Sequence, residues 1–252
     1  MTAIIAGVTT PILVHLVVVV FIATLIRSAV GFGEALIAVP LLAFRVPIEI
    51  AVPLAMLVSI TVAGVIVAQD WRRIDFHSAR WLLIATFFGL PIGLLFLKIC
   101  NEFTIKCVLG GAIISFSIYG LIWRNKLHLK HDSRAWLLGC GFAAGIMGGA
   151  YGMNGPPLAI YGAMRRWSPQ HFRATLQGYF LPASIIGMIG YWIAGLWTLT
   201  VTKDYLVSLP AILIAIWIGR AINNGLAGER FLHFVYILLI GIGIALLMQA
   251  IY

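Results

Sequence analysis

Residues 27–42 read RSAVGFGEALIAVPLL and residues 152–161 read GMNGPPLAIY, and each stretch interrupts a run of strongly apolar sequence. Glycine and proline break the helical hydrogen-bond ladder. In hydrocarbon the freed N–H and C=O groups are tolerated only where protein or a water-filled cavity satisfies them. Both breaks carry a polar side chain, Glu34 in the first and Asn154 in the second. Interrupted apolar segments at matching positions of two halves point to a small-molecule site near the bilayer midplane.

The sequence around the breaks is of membrane composition. Of 252 residues 62% are hydrophobic and 10% charged, against roughly 25% charged in a soluble domain. Apolar windows fall at 4–26, 46–68, 81–97, 108–123, 136–150, 174–197, 205–222 and 231–251, most of them near the ~20 residues a helix needs to cross a bilayer. The expected fold is an all-α polytopic membrane protein with about eight hydrophobic segments and eight to ten crossings. Residues 1–126 and 127–252 form two repeats of inverted topology in one integrated transport domain. The first segment of each half is broken or re-entrant at its Gly/Pro motif.

The formal charge of +9 reads as topology and not as a nucleic-acid footprint, because the basic residues sit in short connections between apolar segments. Arg72, Arg73 and Arg80 flank one connection, and Arg124, Lys126, Lys130 and Arg134 crowd another. Both are expected inside, as are the clusters Arg165–Arg166–Arg173 and Arg220–Arg230, with Lys203 and Asp204 marking a nearly neutral loop on the other side. The N-terminus, with no Lys or Arg before Arg27, is expected outside. Trp71, Trp81, Trp123, Trp136 and Trp197 read as interface anchors. Cys100, Cys107 and Cys140 form no C-x-x-C and match no zinc spacing, so they read as apolar filler. No metal and no cofactor are expected.

Overlaying the halves places Gly31 on Gly152 and Gly33 on Asn154. Pro47, Ile48 and Glu49 then fall near Ser168, Pro169 and Gln170, and Gly93 plays the part of Gly219. Within this frame the intramembrane polar residues carry the functional information. A charge at mid-helix costs at least ~2.5–3.5 kcal/mol on insertion scales, so Glu34 and Arg27 must face a cavity or a partner. Either Glu34 exchanges a proton while Arg27 supplies positive charge to a ligand, or the two pair and pin the broken helix. Asn154 offers an amide that donates and accepts, and Gln177 is costly enough to need a partner. Gly31, Gly33, Gly152 and Gly155 let backbone approach a ligand, and half-helix N-termini favour anions. Gly145, Gly148 and Gly149 read instead as helix-packing residues. His15 is expected near a surface or bonded to backbone.

The segments at 27–42, at 152–161 and at 172–180 (FRATLQGYF) together resemble the sulfite exporter TauE/SafE family of bacterial membrane proteins. That resemblance implies a multi-span permease of the bacterial inner membrane that moves sulfite, sulfoacetate or related small sulfur-containing or carboxylate anions, outward. Many family members carry glycine where this chain has Glu34, which suggests a subgroup. The candidate substrate-binding residues are Arg27, Ser28, Gly31, Phe32, Gly33, Glu34, Ala35, Asn154, Gly155, Pro156, Tyr161 and Gln177, with Glu34 also coupling a proton. The expected partners are a small anion, protons and the lipid bilayer, and small-residue surfaces in several spans permit a homodimer. A passive anion channel would share these features. Enzyme motifs such as H-E-x-x-H and G-x-S-x-G are missing, as is a Walker sequence for ATP.

Overall fold

The computed structural model describes residues 10–70, 76–122, 133–165, 169–226 and 229–251. These form ten helices with no strand among the described residues: α1 (Thr10–Val30), α2 (Glu34–Leu42), α3 (Ile48–Asp70), α4 (Phe76–Ile99), α5 (Glu102–Ile122), α6 (Arg134–Tyr151), α7 (Gly155–Met164), α8 (Pro169–Ile193), α9 (Leu199–Leu226) and α10 (Glu229–Ile251). An all-helical answer follows from the composition. Apolar segments without water must bond their own backbone, and a helix does so within one segment.

Large apolar side chains cover the outside, while a few charged and polar groups are buried within an apolar core. Trp217 and Ile193 are 76% and 77% exposed, whereas Arg27 and Glu34 are 3% and 2% exposed. Among the described residues, five helical stretches are long and apolar enough to cross a membrane: Pro11–Val30, Ile48–Gln69, Ala79–Ile99, Glu102–Ile122 and Leu199–Ile222, with Val235–Ile251 a shorter apolar stretch. The other expected segments fall on α6, which is rich in glycine, and on α8, whose polar start lowers its hydropathy.

Packing is pairwise: α4 lies on α6, α1 on α9, α5 on α10 and α3 on α8. Small residues set the closest approaches. A Cβ added at Gly89, Gly93, Gly145 or Gly149 would run into the backbone of the facing helix in the α4–α6 pair, which is how glycine lets two membrane helices meet. The packing reading therefore holds for Gly145 and Gly149. Gly148 has another neighbour, the Asn154 side chain.

The expected boundaries shift in two places. Lys203 and Asp204 lie inside α9 and not in a loop. The helix starts earlier because Thr198 Oγ1 accepts from Val201 N–H at 3.4 Å and so opens it one turn ahead of the charges. Likewise Glu102 and Lys106 belong to α5, where they pair at 2.9 Å. Trp136 lies in the first turn of α6 and Trp197 in the connection between α8 and α9, and both are exposed. Trp71 and Trp123 lie outside the described residues.

Candidate functional site

Helix α1 stops at Val30 and the chain restarts as α2 at Glu34. Gly31 and Gly33 stand in the break with φ of 99° and 98°, a backbone region glycine enters without steric cost. In the second half, α6 stops at Tyr151, Gly152 takes φ 67°, and α7 begins at Gly155. The first break is a turn-back. His15 Nε2 lies 2.9 Å from the Leu41 carbonyl, so the end of α2 returns beside the start of α1. This matches the backbone partner expected for His15.

Across the first break Arg27 and Glu34 form an ion pair, Arg27 Nη1 donating to Glu34 Oε2. The same nitrogen donates to Ser59 Oγ of α3 at 2.7 Å, and Nη2 donates to Gln177 Oε1 of α8 at 3.0 Å. The guanidinium also stands 5.0 Å from the centre of the Phe180 ring. Gln177 Nε2 donates to the Gly31 carbonyl at 2.7 Å, so one amide side chain from the second half satisfies an acceptor that the first break sets free. Ser59 Oγ continues to Ser184 Oγ at 3.0 Å.

This cluster opens on a small cavity of about 30 Å³ between the two breaks. One wall consists of Arg27, Gly33, Glu34, Ala35, Leu36 and Ser59, and the other of Gly152, Met153, Asn154, Gly155, Pro156 and Phe180. Three buried polar atoms of lining residues have no hydrogen-bond partner among the described residues: Arg27 Nε, Glu34 Oε1 and Asn154 Oδ1. Such orphans are costly in protein and are expected to find a ligand or water.

The two helix starts differ as anion seats. No side chain caps α2, so its first N–H groups are without an intrahelical partner. In α7 the Asn154 side chain does not cap the helix either, and Pro156 and Pro157 occupy the first turn. Proline has no N–H, so the expected backbone cradle from Gly152–Gly155 continues into a turn poor in donors.

The structure brings Arg27, Gly33, Glu34, Ala35, Asn154, Gly155 and Pro156 to one cavity. Gly31 and Gln177 are tied to it through Arg27. Phe32 packs edge-on to Phe116 at 6.4 Å and stands beside Gly155, behind the lining. Ser28 lies against Gly219 of α9, and Tyr161 is buried; neither lines the cavity. Sequence reading missed Ser59 and gave no role to Phe180 or Met153. A lone serine in an apolar run is a signal for Ser59; nothing marks the other two.

A family model described as Sulfite exporter TauE/SafE matches residues 16–246. No curated protein and no solved structure matches the chain.

Proposed function

The chain belongs to the sulfite exporter TauE/SafE family, a family of membrane exporters, and from that premise we propose that it is a proton-linked secondary carrier of a small organic or sulfur-containing anion, such as sulfite or a sulfonate, bound between the two helix breaks. The observation that carries this reading is the Arg27–Glu34 pair, buried and lining the cavity, with Arg27 Nε and Glu34 Oε1 unpartnered among the described residues.

The pair supplies a coupling mechanism. While Glu34 is ionised it holds the guanidinium and neutralises it. When Glu34 takes a proton, the ion pair is lost and an uncompensated cation remains in a buried site, which an incoming oxyanion relieves. Anion and proton thus enter together and leave together. Ser59 and Gln177 keep the guanidinium in place in both states, and the α2 N–H groups receive the oxyanion.

Alternating access rests on two halves of inverted topology, α1–α5 and α6–α10, with the breaks as re-entrant hairpins entering from opposite sides. Helix packing supports such a repeat. Exchanging the halves turns α1 on α9 into α6 on α4, and carries α3 on α8 and α5 on α10 onto themselves. The contacts repeat at residue level. Gly219 abuts Leu25 and Ala29, six and two residues before Gly31. Gly93 abuts Ile146 and Ala150, six and two residues before Gly152. On the positive-inside reading the N-terminus is outside, and the family implies a bacterial inner membrane.

Counterflow in proteoliposomes tests the carrier reading. Unlabelled anion trapped inside should transiently concentrate labelled anion from outside. Flux that only runs down its gradient, with no counterflow, assigns the protein to the passive channels.

A further inference from the structure

Gly148 lies in the last turn of α6, beside two glycines that serve helix packing. A Cβ at Gly145 would stand 2.4 Å from the Thr86 carbonyl oxygen, and one at Gly149 2.2 Å from that of Leu90, both on the backbone of α4. At Gly148 the neighbour is of another kind. A Cβ there would stand 1.8 Å from Asn154 Oδ1, the end of a side chain that comes from the second break and lines the cavity. The bare position is a seat for the Asn154 amide.

The seat suits the oxygen end of that amide. The Gly148 carbonyl already accepts from the Tyr191 hydroxyl at 2.7 Å and from the Gly152 N–H at 2.9 Å, so its two lone pairs are taken and an amide N–H turned this way would gain nothing. Oδ1 rests instead against the Cα–H, a weak donor. Tyr191, fully buried on α8, also donates to the Gly149 carbonyl at 3.0 Å and so fixes the seat.

The halves reach the centre in complementary ways. The spacing that carries Gly31 onto Gly152 carries Arg27 onto Gly148 and Gly33 onto Asn154. Half one sends in a side chain from its helix, Arg27, and leaves its break bare at Gly33. Half two leaves its helix bare at Gly148 and sends in a side chain from its break.

We propose that Gly148 is a positioning residue: by seating Asn154 Oδ1 it turns Asn154 Nδ2 into the cavity, as the donor from the second half that meets an anion held by Arg27 from the first. This rests on the anion-carrier reading and adds a donor to its site. A methyl at position 148 displaces the amide, and in a cavity of about 30 Å³ little room is left for another arrangement. The clash is with a side-chain end and not with backbone, so α6 can keep its place while the amide turns away.

The test is a double-mutant cycle on the full chain, with Gly148→Ala, Asn154→Ala and both together, read as KM and maximal rate of sulfite flux in proteoliposomes and as melting temperature in detergent. Each single variant should raise KM about tenfold to a hundredfold, the worth of a hydrogen bond to a charged group, with a smaller change in maximal rate. In the Asn154→Ala background Gly148→Ala should raise KM no further, because the space it needs is already empty. If Gly148→Ala alone does not fold, the KM of Asn154→Ala decides. An unchanged KM in Asn154→Ala, or an equal rise from Gly148→Ala in both backgrounds, overturns the positioning role while wild-type flux leaves the carrier standing. Wild-type vesicles that move neither sulfite nor methanesulfonate overturn the carrier reading and the donor role with it.

Discussion

Arg27 in the last turn of α1 and Glu34 in the first turn of α2 close the first helix break with a buried ion pair. Breaking one member of such a pair strands a charge, whereas replacing both by apolar groups does not. Arg27→Met should therefore cost about 3–5 kcal/mol, read as a lower melting temperature in detergent. The double variant Arg27→Met with Glu34→Leu should regain most of that stability and transport nothing. If the double variant is no more stable than the single one, the pair is not what the charge costs depend on.

Gln177 fills two hydrogen-bond positions at once, the Gly31 carbonyl at 2.7 Å and Arg27 Nη2 at 3.0 Å. Gln177→Leu should leave the carbonyl unsatisfied, cost about 1–3 kcal/mol and slow transport. Melting temperature and initial flux rate check this together. An unchanged melting temperature would mean that the break does not need its inter-half donor.

Gly93 and Gly219 hold equivalent close approaches, one to α6 and one to α1. Gly93→Val and Gly219→Val should each destabilise by at least about 1–3 kcal/mol through overpacking. Gly111, with no atom within 4 Å of an added Cβ, is the control. Gly111→Ala should be neutral or stabilising, by up to about 1 kcal/mol.

The proposed entry of the two hairpins from opposite sides makes a labelling prediction. In a chain whose Cys100, Cys107 and Cys140 are replaced by alanine, Arg45→Cys should react with an impermeant thiol reagent from outside, and Arg165→Cys from inside. Reaction of both from the same side would make the halves parallel instead of inverted.

Much of this site was legible because hydrocarbon penalises charge. Arg27, Glu34 and Gln177 stood out as groups an apolar segment does not carry without a partner, and the structure joins them by hydrogen bonds. Whether Arg27 and Glu34 pair was not legible, since the sequence does not say that α2 folds back. Ser59 escaped because a serine hydroxyl in a helix can satisfy itself on its own backbone, as Ser117 does on the Ile113 carbonyl at 2.7 Å. Phe180 escaped because one phenylalanine among many carries no mark of a cation at its face. Charge also misled: Lys203 and Asp204 suggested a loop, but helices continue through charged residues near their ends, and a threonine cap set the start of α9.

Central to this account is the proton on Glu34. The direct measurement is accumulation of a labelled small sulfonate in proteoliposomes under an imposed pH gradient, for the wild-type chain and for Glu34→Gln. The wild type should accumulate anion only while the gradient lasts. Glu34→Gln, which leaves Arg27 without its carboxylate at every pH, should still exchange anion for anion but accumulate none under the gradient. Equal gradient-driven accumulation in both proteins would contradict the account and leave Glu34 as a structural partner of Arg27.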